Sequence, residues 1–434
     1  MSTHPNFPNR RLVAGALAVA AVAGAATACS SAGTHPGAAA SVSAPAHTSA
    51  SASAASKSST TAELTSLAQQ LVGAGAPGVT VRVDDGQGSP IQIARQAAWT
   101  VQDGALTPED EFRMGSNTKT MVGALILQLV AAHTLSLDDS VQKWLPGMVP
   151  NGSAITIRML LDHTSGLFND VDDPGVLEAF GGQDNRIWTG QELLAAAVSH
   201  PPLFAPGTEY SYTNTGYVAL SLILEKATGQ SLATLVQDRI AKPLGLTDTY
   251  VAPGTAGTAD PKLADGYEPD AAMIAPLLPP GTPAGASFAG PARGDYVDTT
   301  ENNFSTEWGA GDIVSNAADW ARFLSALVSG KLFPAAQVKE METTVSEGSG
   351  IQERYGLGLQ SLPTPCGTVW GNEGQVPGYN SVDYTNATGT RTVVLLATST
   401  FGLLEPKTAA ANTALIDGAV CAMLDKPIPT ATSK

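Results

Sequence analysis

The sequence predicts an α/β (α+β) fold in which both ends of the chain contribute strands to one antiparallel sheet. Near the amino-terminal end, apolar and polar residues alternate over 79–83, and the run 91–101 is predicted to be its hairpin partner. Successive strand patterns return between residues 355 and 397, whereas residues 186–250 show mainly helical spacing. We therefore expect helices on the faces of the sheet and an all-helical region inserted between its two halves.

The composition is that of a globular protein. The chain has 434 residues, of which 43% are hydrophobic and 14% charged, and its formal net charge is −16. That length suffices for one large domain or two smaller ones with buried cores. An acidic surface repels nucleic acid and anionic lipid headgroups, so neither is a predicted partner. No metal site or cofactor is predicted, and the glycine-rich stretch 281–290 lacks the strand–turn–helix context of phosphate binding.

Residues 1–28 are predicted to be a signal peptide, because Arg10 and Arg11 precede an apolar, alanine-rich run too short to span a membrane. Small residues then lead to Cys29, a pattern similar to the lipobox of bacterial lipoproteins, in which the cysteine is lipidated. Residues 29–61 are almost entirely Ser, Ala, Thr, Pro and Gly and are predicted to be a flexible tether. We expect an exported protein, lipid-anchored on the outer face of the bacterial cytoplasmic membrane, with plain secretion as the alternative.

Residues 62–425 are predicted to form the folded domain and residues 426–434 a tail. The helices expected at its two ends and around its strands cover 63–72, 120–132, 319–328 and 408–424. The run 120–132 is hydrophobic all round, which is typical of a buried helix. Residues 253–291 are rich in Gly, Pro and Ala and are predicted to be an irregular loop.

The cysteine count agrees with export. Lipidation of Cys29 leaves Cys366 and Cys421 as an even pair. In an oxidising compartment we expect this pair to form a disulfide, which typically contributes about 2–4 kcal/mol by restricting the unfolded chain.

Ser116 and Lys119 stand at the start of the predicted buried helix. Three positions apart on a helix, their side chains share one face and can meet. Burial disfavours the lysine charge, and a neutral amine can take a proton from a serine hydroxyl. The pair is therefore a candidate nucleophile and base, although a capping serine with a solvated lysine gives the same common spacing.

Several motifs occur in one order along the chain. They are Phe112-Arg-Met-Gly-Ser-Asn-Thr-Lys119, Ile157-Arg-Met-Leu-Leu-Asp-His-Thr-Ser-Gly-Leu167, Pro206-Gly-Thr-Glu-Tyr-Ser-Tyr-Thr-Asn-Thr-Gly-Tyr217 and Gly371-Asn-Glu-Gly-Gln-Val-Pro-Gly-Tyr379. Together they resemble the serine β-lactamase-like family, which contains class C β-lactamases, secreted D-alanyl-D-alanine carboxypeptidases and related esterases. The resemblance implies a β-lactamase/transpeptidase-like fold with its site in the groove between sheet and helical region. It also implies a hydrolase that forms an acyl-enzyme with a small peptide, ester or β-lactam.

The same resemblance implies a role for each motif position. Ser116 corresponds to the acylated nucleophile, Lys119 to its hydrogen-bonded partner, and Tyr212 and Asn214 to the Tyr-x-Asn motif. A cationic lysine stabilises a nearby phenolate, so either Lys119 or Tyr212 can be the base. The backbone N–H groups of Ser116 and Gln375 correspond to an oxyanion hole. His163 belongs to a structural turn in the family, and we do not expect it to act in catalysis.

The chain departs from the family where the substrate's terminal carboxylate is held. Asn372-Glu373-Gly374 stands where His-x-Gly or Lys-x-Gly is usual, and Gln360 stands where the carboxypeptidases tend to have arginine. Replacing a cation with a neutral amide forfeits a charge-assisted hydrogen bond of about 1.5–3 kcal/mol, and Glu373 adds repulsion. We expect a hydrolase whose preference is shifted away from terminal carboxylates, or toward an amine that meets Glu373. The alternative is a poorly active or inactive penicillin-binding-type surface lipoprotein that binds cell-wall peptide.

Overall fold

The computed structural model describes residues 47–254, 257, 260–277 and 287–429. The predicted signal peptide, Cys29 and the last residues of the predicted tail lie outside these ranges. The helices are α1 His47–Ala74, α2 Thr118–Ala131, α3 Val141–Trp144, α4 Ile157–Leu161, α5 Pro174–Phe180, α6 Gly190–Val198, α7 Asn214–Thr228, α8 Leu232–Val236, α9 Lys242–Leu244, α10 Ala271–Ile274, α11 Ala317–Val328, α12 Ala335–Met341 and α13 Pro406–Met423. Within the described ranges, no helix has both the length and the hydropathy that crossing a membrane requires.

The strands form one large antiparallel sheet and two small ones. They are β1 Gly78–Asp84, β2 Ile91–Gln96, β3 Phe112–Arg113, β4 Tyr250–Val251, β5 Tyr267–Pro269, β6 Ala292–Arg293, β7 Tyr296–Asp298, β8 Ile313–Ser315, β9 Val345–Ser346, β10 Arg354–Tyr355, β11 Gln360–Thr364, β12 Gly367–Val376, β13 Tyr379–Thr385 and β14 Thr392–Ala397. The order of the large sheet is β2-β1-β14-β13-β12-β11-β10-β9. Because β1 pairs with β14, the sheet is built from both ends of the chain, as predicted.

Both faces of the large sheet are covered, as strand β14 shows. Its residues alternate between two cores: Val393 and Leu395 pack with α1 and α13, and Val394 and Leu396 pack with the opposite helical layer. Every residue of β14 is consequently buried. The opposite layer contains α2, α7 and α11, so the buried helix predicted after Ser116 lies between the sheet and the helical region.

The first helix is longer than the sequence pattern predicts. It begins at His47, so the predicted tether boundary at residue 61 is not marked by a change in secondary structure. Alanine favours this helix, although serine and threonine outnumber it between residues 47 and 61. Lys57 of this helix pairs with Asp85 at 3.2 Å and thereby fixes the helix to the β1–β2 hairpin.

The disulfide between Cys366 and Cys421 is present, as predicted, with Cα atoms 5.2 Å apart. It joins the turn before β12 to helix α13.

The prediction of an irregular loop over 253–291 is wrong in part, because β5 and α10 lie within it. Strand β5 forms because its Glu268 side chain is fully buried and accepts backbone N–H groups of Gly378, Thr400 and Phe401. Helix α10 begins where the Asp270 carboxylate accepts the first free N–H groups of the helix. Glu268 thus connects this segment to both ends of the β13–β14 hairpin, a long-range contact that local composition does not reveal.

Candidate active site

Ser116 lies in a single 3₁₀ turn, Gly115–Asn117, immediately before α2. This turn presses against β12: Gly115 has φ +51°, and a Cβ there would lie 2.6 Å from the Gln375 backbone nitrogen. Only glycine combines that backbone conformation with such a close approach. The Asn117 amide donates to Ser381 Oγ at 2.9 Å, which ties the turn to β13 as well. Ser116 is therefore held where helix α2 meets the central strands.

The backbone of β12 lies close to the turn that carries Ser116. A Cβ at Gly374 would lie 1.9 Å from the Met114 carbonyl oxygen, so the strand and the turn approach through two glycines. This approach brings the Gln375 backbone nitrogen close to Gly115, and the oxyanion hole formed by the N–H groups of Ser116 and Gln375 stays a prediction.

Lys119 is fully buried in the first turn of α2, and its Nζ has three hydrogen-bond partners. These are Ser116 Oγ at 3.0 Å, Asn214 Oδ1 at 2.8 Å and the Ala310 carbonyl oxygen at 2.8 Å. Burial lowers the pKa of Lys119 to about 7. A neutral amine has two N–H groups, and Asn214 Oδ1 and Ala310 O can only accept. Its lone pair then faces the Ser116 hydroxyl, as a base requires.

Tyr212 has different electrostatics. Its ring centroid lies 4.9 Å from Lys119 Nζ, yet burial raises the pKa of its hydroxyl above the ordinary tyrosine value. The nearby Ser116 partly offsets this rise in the pKa of Tyr212. The Tyr212 hydroxyl makes no well-formed hydrogen bond in the described structure. The phenolate form is thus disfavoured. The geometry favours Lys119 as the base and leaves Tyr212 a neutral hydroxyl that can relay a proton.

Asn214 is the first residue of α7, and Thr213 caps that helix through its side chain. The Asn214 backbone N–H donates to Asn169 Oδ1 at 2.9 Å, which fixes the start of the helix beside Lys119. With Oδ1 bound to Lys119, the amide nitrogen is the group that Asn214 can offer to a substrate carbonyl.

His163 supports this side of the site from behind. Its backbone has φ +61°, and its ring lies 4.3 Å from that of Tyr212. The Thr213 N–H donates to Nδ1 at 3.3 Å, and burial lowers the pKa of the imidazole well below its ordinary value. The neighbouring Asp162 binds Thr164 instead of the ring. This geometry is structural, in agreement with the expectation that His163 is not catalytic.

The far wall of the site comprises Gln360, Asn372 and Glu373, and the structure shows that their side chains point in different directions. Gln360 on β11 pairs with Gly371 on β12, so it lies beside the last motif. Asn372, only 2% exposed, directs its amide inward to Thr120 Oγ1 at 3.4 Å. Glu373 points to the opposite face of the strand, where the Tyr384 hydroxyl donates to its carboxylate. The Glu373 carboxylate therefore already accepts a hydrogen bond, which weakens the prediction that it meets a substrate amine.

Glu347 is a residue of this wall that sequence reasoning missed. Its carboxylate accepts from Gln360 Nε2 at 3.0 Å and from the Tyr210 hydroxyl at 3.4 Å. Burial raises its pKa, as do the charges of Glu353 and Glu373. No lysine or arginine is among the larger influences on the pKa of Glu347 or Glu373 within the described residues. Glu347 directly follows the two-residue strand β9 in a Ser- and Gly-rich segment, and no motif points to it.

Three buried acids behind Lys119 were also missed: Asp170, Glu307 and Asp312. All three interact electrostatically with the lysine. None of the three lies in the motifs that place Ser116, Lys119 and Tyr212, and their burial around the lysine depends on tertiary packing. In the described part of the chain, no group of three or more His, Cys, Asp or Glu side chains is arranged to hold a metal ion.

Comparison with protein families matches residues 32–417 to the family described as beta-lactamase. Esterase EstB of Burkholderia gladioli is 32% identical over 284 residues, which cover 59% of this chain and 69% of EstB. Two Bacillus subtilis proteins named for penicillin binding, PbpX and penicillin-binding protein 4*, are 26% and 28% identical. The matched region spans 62% and 57% of their respective lengths.

Solved structures share the fold over most of the chain. A D-stereospecific amidohydrolase from Streptomyces sp. has 31% identity and a TM-score of 0.65, covering 79% of this chain and 97% of its own. D-amino acid amidase from Ochrobactrum anthropi, solved with D-phenylalanine, has 25% identity and a TM-score of 0.72. That match covers 85% of this chain and 99% of the amidase.

Proposed function

The chain belongs to the β-lactamase family of serine hydrolases, and we propose that it cleaves amides or esters through an acyl-enzyme at Ser116. The observation that carries this proposal is the set of three hydrogen bonds at Lys119 Nζ, which turns its lone pair toward Ser116 Oγ. Relatives named as an esterase, a D-stereospecific amidohydrolase and a D-amino acid amidase support the same bond classes.

In the proposed reaction, Ser116 Oγ attacks the substrate carbonyl carbon while its proton passes to Lys119 Nζ. The oxyanion is stabilised by the N–H groups of Ser116 and Gln375, and Asn214 positions the substrate carbonyl. The proton then moves, directly or through the Tyr212 hydroxyl, to the departing amine or alcohol. Water attacks the ester of Ser116 in the second half of the cycle, with Lys119 again accepting the proton.

We propose further that the substrate does not end in a carboxylate beside β12. The acid Glu347 and the neutral Gln360 lie there, while Asn372 points inward to Thr120 and Glu373 adds a second acid on the opposite face of β12. A carboxylate next to these acids is repelled, whereas an ammonium group is attracted. Glu347, close to Tyr210 and Gln360, is better placed than Glu373 to face a free amine. Amides and esters of amino acids with a free amine are thus the favoured substrate class.

The deciding experiment uses the purified domain with a p-nitrophenyl ester, an amino acid amide and a fluorescent penicillin. We expect turnover of the ester and the amide, a covalent adduct on Ser116 by mass spectrometry, and loss of both in Ser116→Ala. Failure of every acylating reagent to leave an adduct would instead favour the alternative, a lipoprotein that binds cell-wall peptide without turning it over. Equal turnover of D-alanyl-D-alanine peptides and neutral esters would contradict the carboxylate argument.

The place of action is part of the proposal. The Arg10-Arg11 n-region and the small residues before Cys29 support export and lipid anchoring on the outer face of the membrane. Metabolic labelling with a fatty acid tests this: Cys29→Ser should abolish incorporation, and label that persists in the variant would contradict it.

A further inference from the structure

Lys119 shares its buried surroundings with three carboxyl groups that the proposed reaction does not use. Glu307, Asp170 and Asp312 are 3%, 1% and 8% exposed. Two of them have clear structural hydrogen bonds: Asp170 accepts from Thr215 Oγ1 at 3.0 Å, and Asp312 accepts from the Gly309 N–H at 2.9 Å. Glu307 has the strongest electrostatic interaction of the three with Lys119.

Glu307 lies on the turn that also binds Lys119 directly. The N–H groups of Ala310 and Gly311 fold back onto the Glu307 carbonyl oxygen at 2.8 and 2.7 Å, and the Ala310 carbonyl accepts from Lys119 Nζ. A Cβ at Gly311 would lie 2.0 Å from Glu307 Oε2, so glycine creates the space that the carboxyl occupies. One short turn therefore carries both a hydrogen-bond acceptor for Lys119 and a carboxyl that interacts with it.

The hydrogen bonds show which protonation states suit this pair. The partners of Lys119 Nζ are all neutral groups, so an ammonium there has no anion in direct contact. Two desolvated charges that do not touch are costly, and a neutral amine with a neutral carboxylic acid avoids both. Burial acts in this direction on each partner, raising the pKa of Glu307 to about 8 and lowering that of Lys119 to about 7.

We propose that Lys119 and Glu307 hold one proton between them, which resides on Glu307 in the resting enzyme and leaves Lys119 neutral as the base for Ser116. This inference rests on the proposed hydrolase reaction. In acylation the hydroxyl proton of Ser116 moves to Lys119 and then to the leaving group, while Glu307 keeps its own proton. Glu307 touches no substrate and is a positioning residue that acts through Lys119.

Other charged or titratable groups also face the pair. They are Asp170, Asp312, Arg113, His163 and Tyr212. Asp312 provides a matched control, because it is equally enclosed, interacts with Lys119 with the same sign, and carries its own hydrogen bond from Gly309.

The pH profile of kcat/KM for the p-nitrophenyl ester separates the possible states. In the wild type, kcat/KM should rise near pH 7 as Lys119 becomes neutral. It should rise again at higher pH, because burial raises the pKa of Glu307 and the ionised carboxylate stabilises the ammonium formed during acylation. Glu307→Gln mimics the protonated acid and should keep the first rise and lose the second. Asp312→Asn should keep both and move the first slightly to lower pH, since it removes an anion.

Two results would overturn the proposal. A first rise displaced downward by one pH unit or more in Glu307→Gln shows that Glu307 is an anion at rest. A second rise that persists in this variant shows that Glu307 does not cause it. If the variant does not fold, wild-type protein labelled at lysine Nζ and glutamate Cδ gives the answer by NMR. Burial also raises the pKa of Glu111 and Glu268 to about 7, so the signals of Lys119 and Glu307 are assigned to their residues first. These two signals should titrate together around neutral pH, and ordinary pKa values for both contradict the pair.

These outcomes are distinct from a failure of the proposed function. An unreactive Ser116 in the wild type removes the hydrolase proposal, whereas the NMR titration still reports where the proton resides. An active enzyme with an unchanged Glu307→Gln profile removes only the present inference.

Discussion

The two walls of the candidate site are built on different principles. On the attack side, Lys119 is fully enclosed and bound at 2.8 to 3.0 Å to Ser116, Asn214 and Ala310. On the far side, Glu347 and Glu373 interact mainly with neutral partners and with other acids. Polar contacts on the first side fix one geometry for bond breaking. The acids of the second side are held by Gln360, Tyr210 and Tyr384 and are not among the hydrogen-bond partners of Lys119. Chemistry and substrate choice are therefore separable here.

The largest expected effect comes from removing the nucleophile. Ser116→Ala should lower kcat/KM for the p-nitrophenyl ester by about 10³-fold or more, because no acyl-enzyme can form. Thermal denaturation should show an unchanged fold, since the hydroxyl is a small part of the hydrogen bonding of Lys119. Turnover at the wild-type rate in this variant would place the nucleophile elsewhere.

The next effect distinguishes the two candidate bases on the attack side. Lys119→Met should reduce acylation by about 10²- to 10⁴-fold, the usual contribution of general base catalysis. Tyr212→Phe should cost less, because burial keeps its hydroxyl protonated and it serves only as a relay. Stopped-flow release of p-nitrophenolate from the neutral p-nitrophenyl ester measures acylation in both variants. A Tyr212 variant that is the slower of the two would reverse the assignment of the base.

Changing the far wall should alter selectivity instead of reactivity. The double change Asn372→His with Glu373→Thr introduces the imidazole usual at the first position as a hydrogen-bond donor and removes an anion, a gain of about 1.5–3 kcal/mol for a bound carboxylate. We expect kcat/KM for D-alanyl-D-alanine peptides to rise by about tenfold or more, with neutral ester turnover little changed. The single change Glu373→Thr is the comparison, because Asn372 points inward to Thr120. If this single change gives the whole increase in kcat/KM, repulsion by Glu373 alone sets the preference.

The smallest expected effect concerns Glu347. Glu347→Gln keeps the shape of the side chain and removes its charge, so kcat/KM for an amino acid amide with a free amine should fall several-fold, by about 1 kcal/mol. The N-acetylated amide should be unaffected. Glu340→Gln, which alters an acid paired with Arg158, is the matched surface control. Equal losses for the free and acetylated substrates would mean that Glu347 does not recognise the amine.

The sequence predicts the parts of this site that lie in short, ordered motifs. Ser116 and Lys119 are one helical turn apart, and the sheet built from both chain ends follows from alternating strand patterns. Sequence patterns do not reveal contacts between distant parts of the chain. Three features depend on such tertiary packing: the burial of Glu307 behind Lys119, the strand β5 fixed by Glu268, and the position of Glu347 beside Gln360. The side-chain direction of Asn372 also depends on strand register, which a motif does not give.

The close contact between the Gly115 turn and β12 has a consequence for how the family can diversify. At this contact the strand contributes only backbone, since a Cβ at either Gly115 or Gly374 would collide with the other segment. The backbone N–H of Gln375, which we propose binds the oxyanion, is therefore placed independently of the side chains at positions 372 and 373. New selectivities can arise by substitution at those two positions while the reaction centre keeps its dimensions. Substitution of either glycine should be lethal to the activity whatever the substrate.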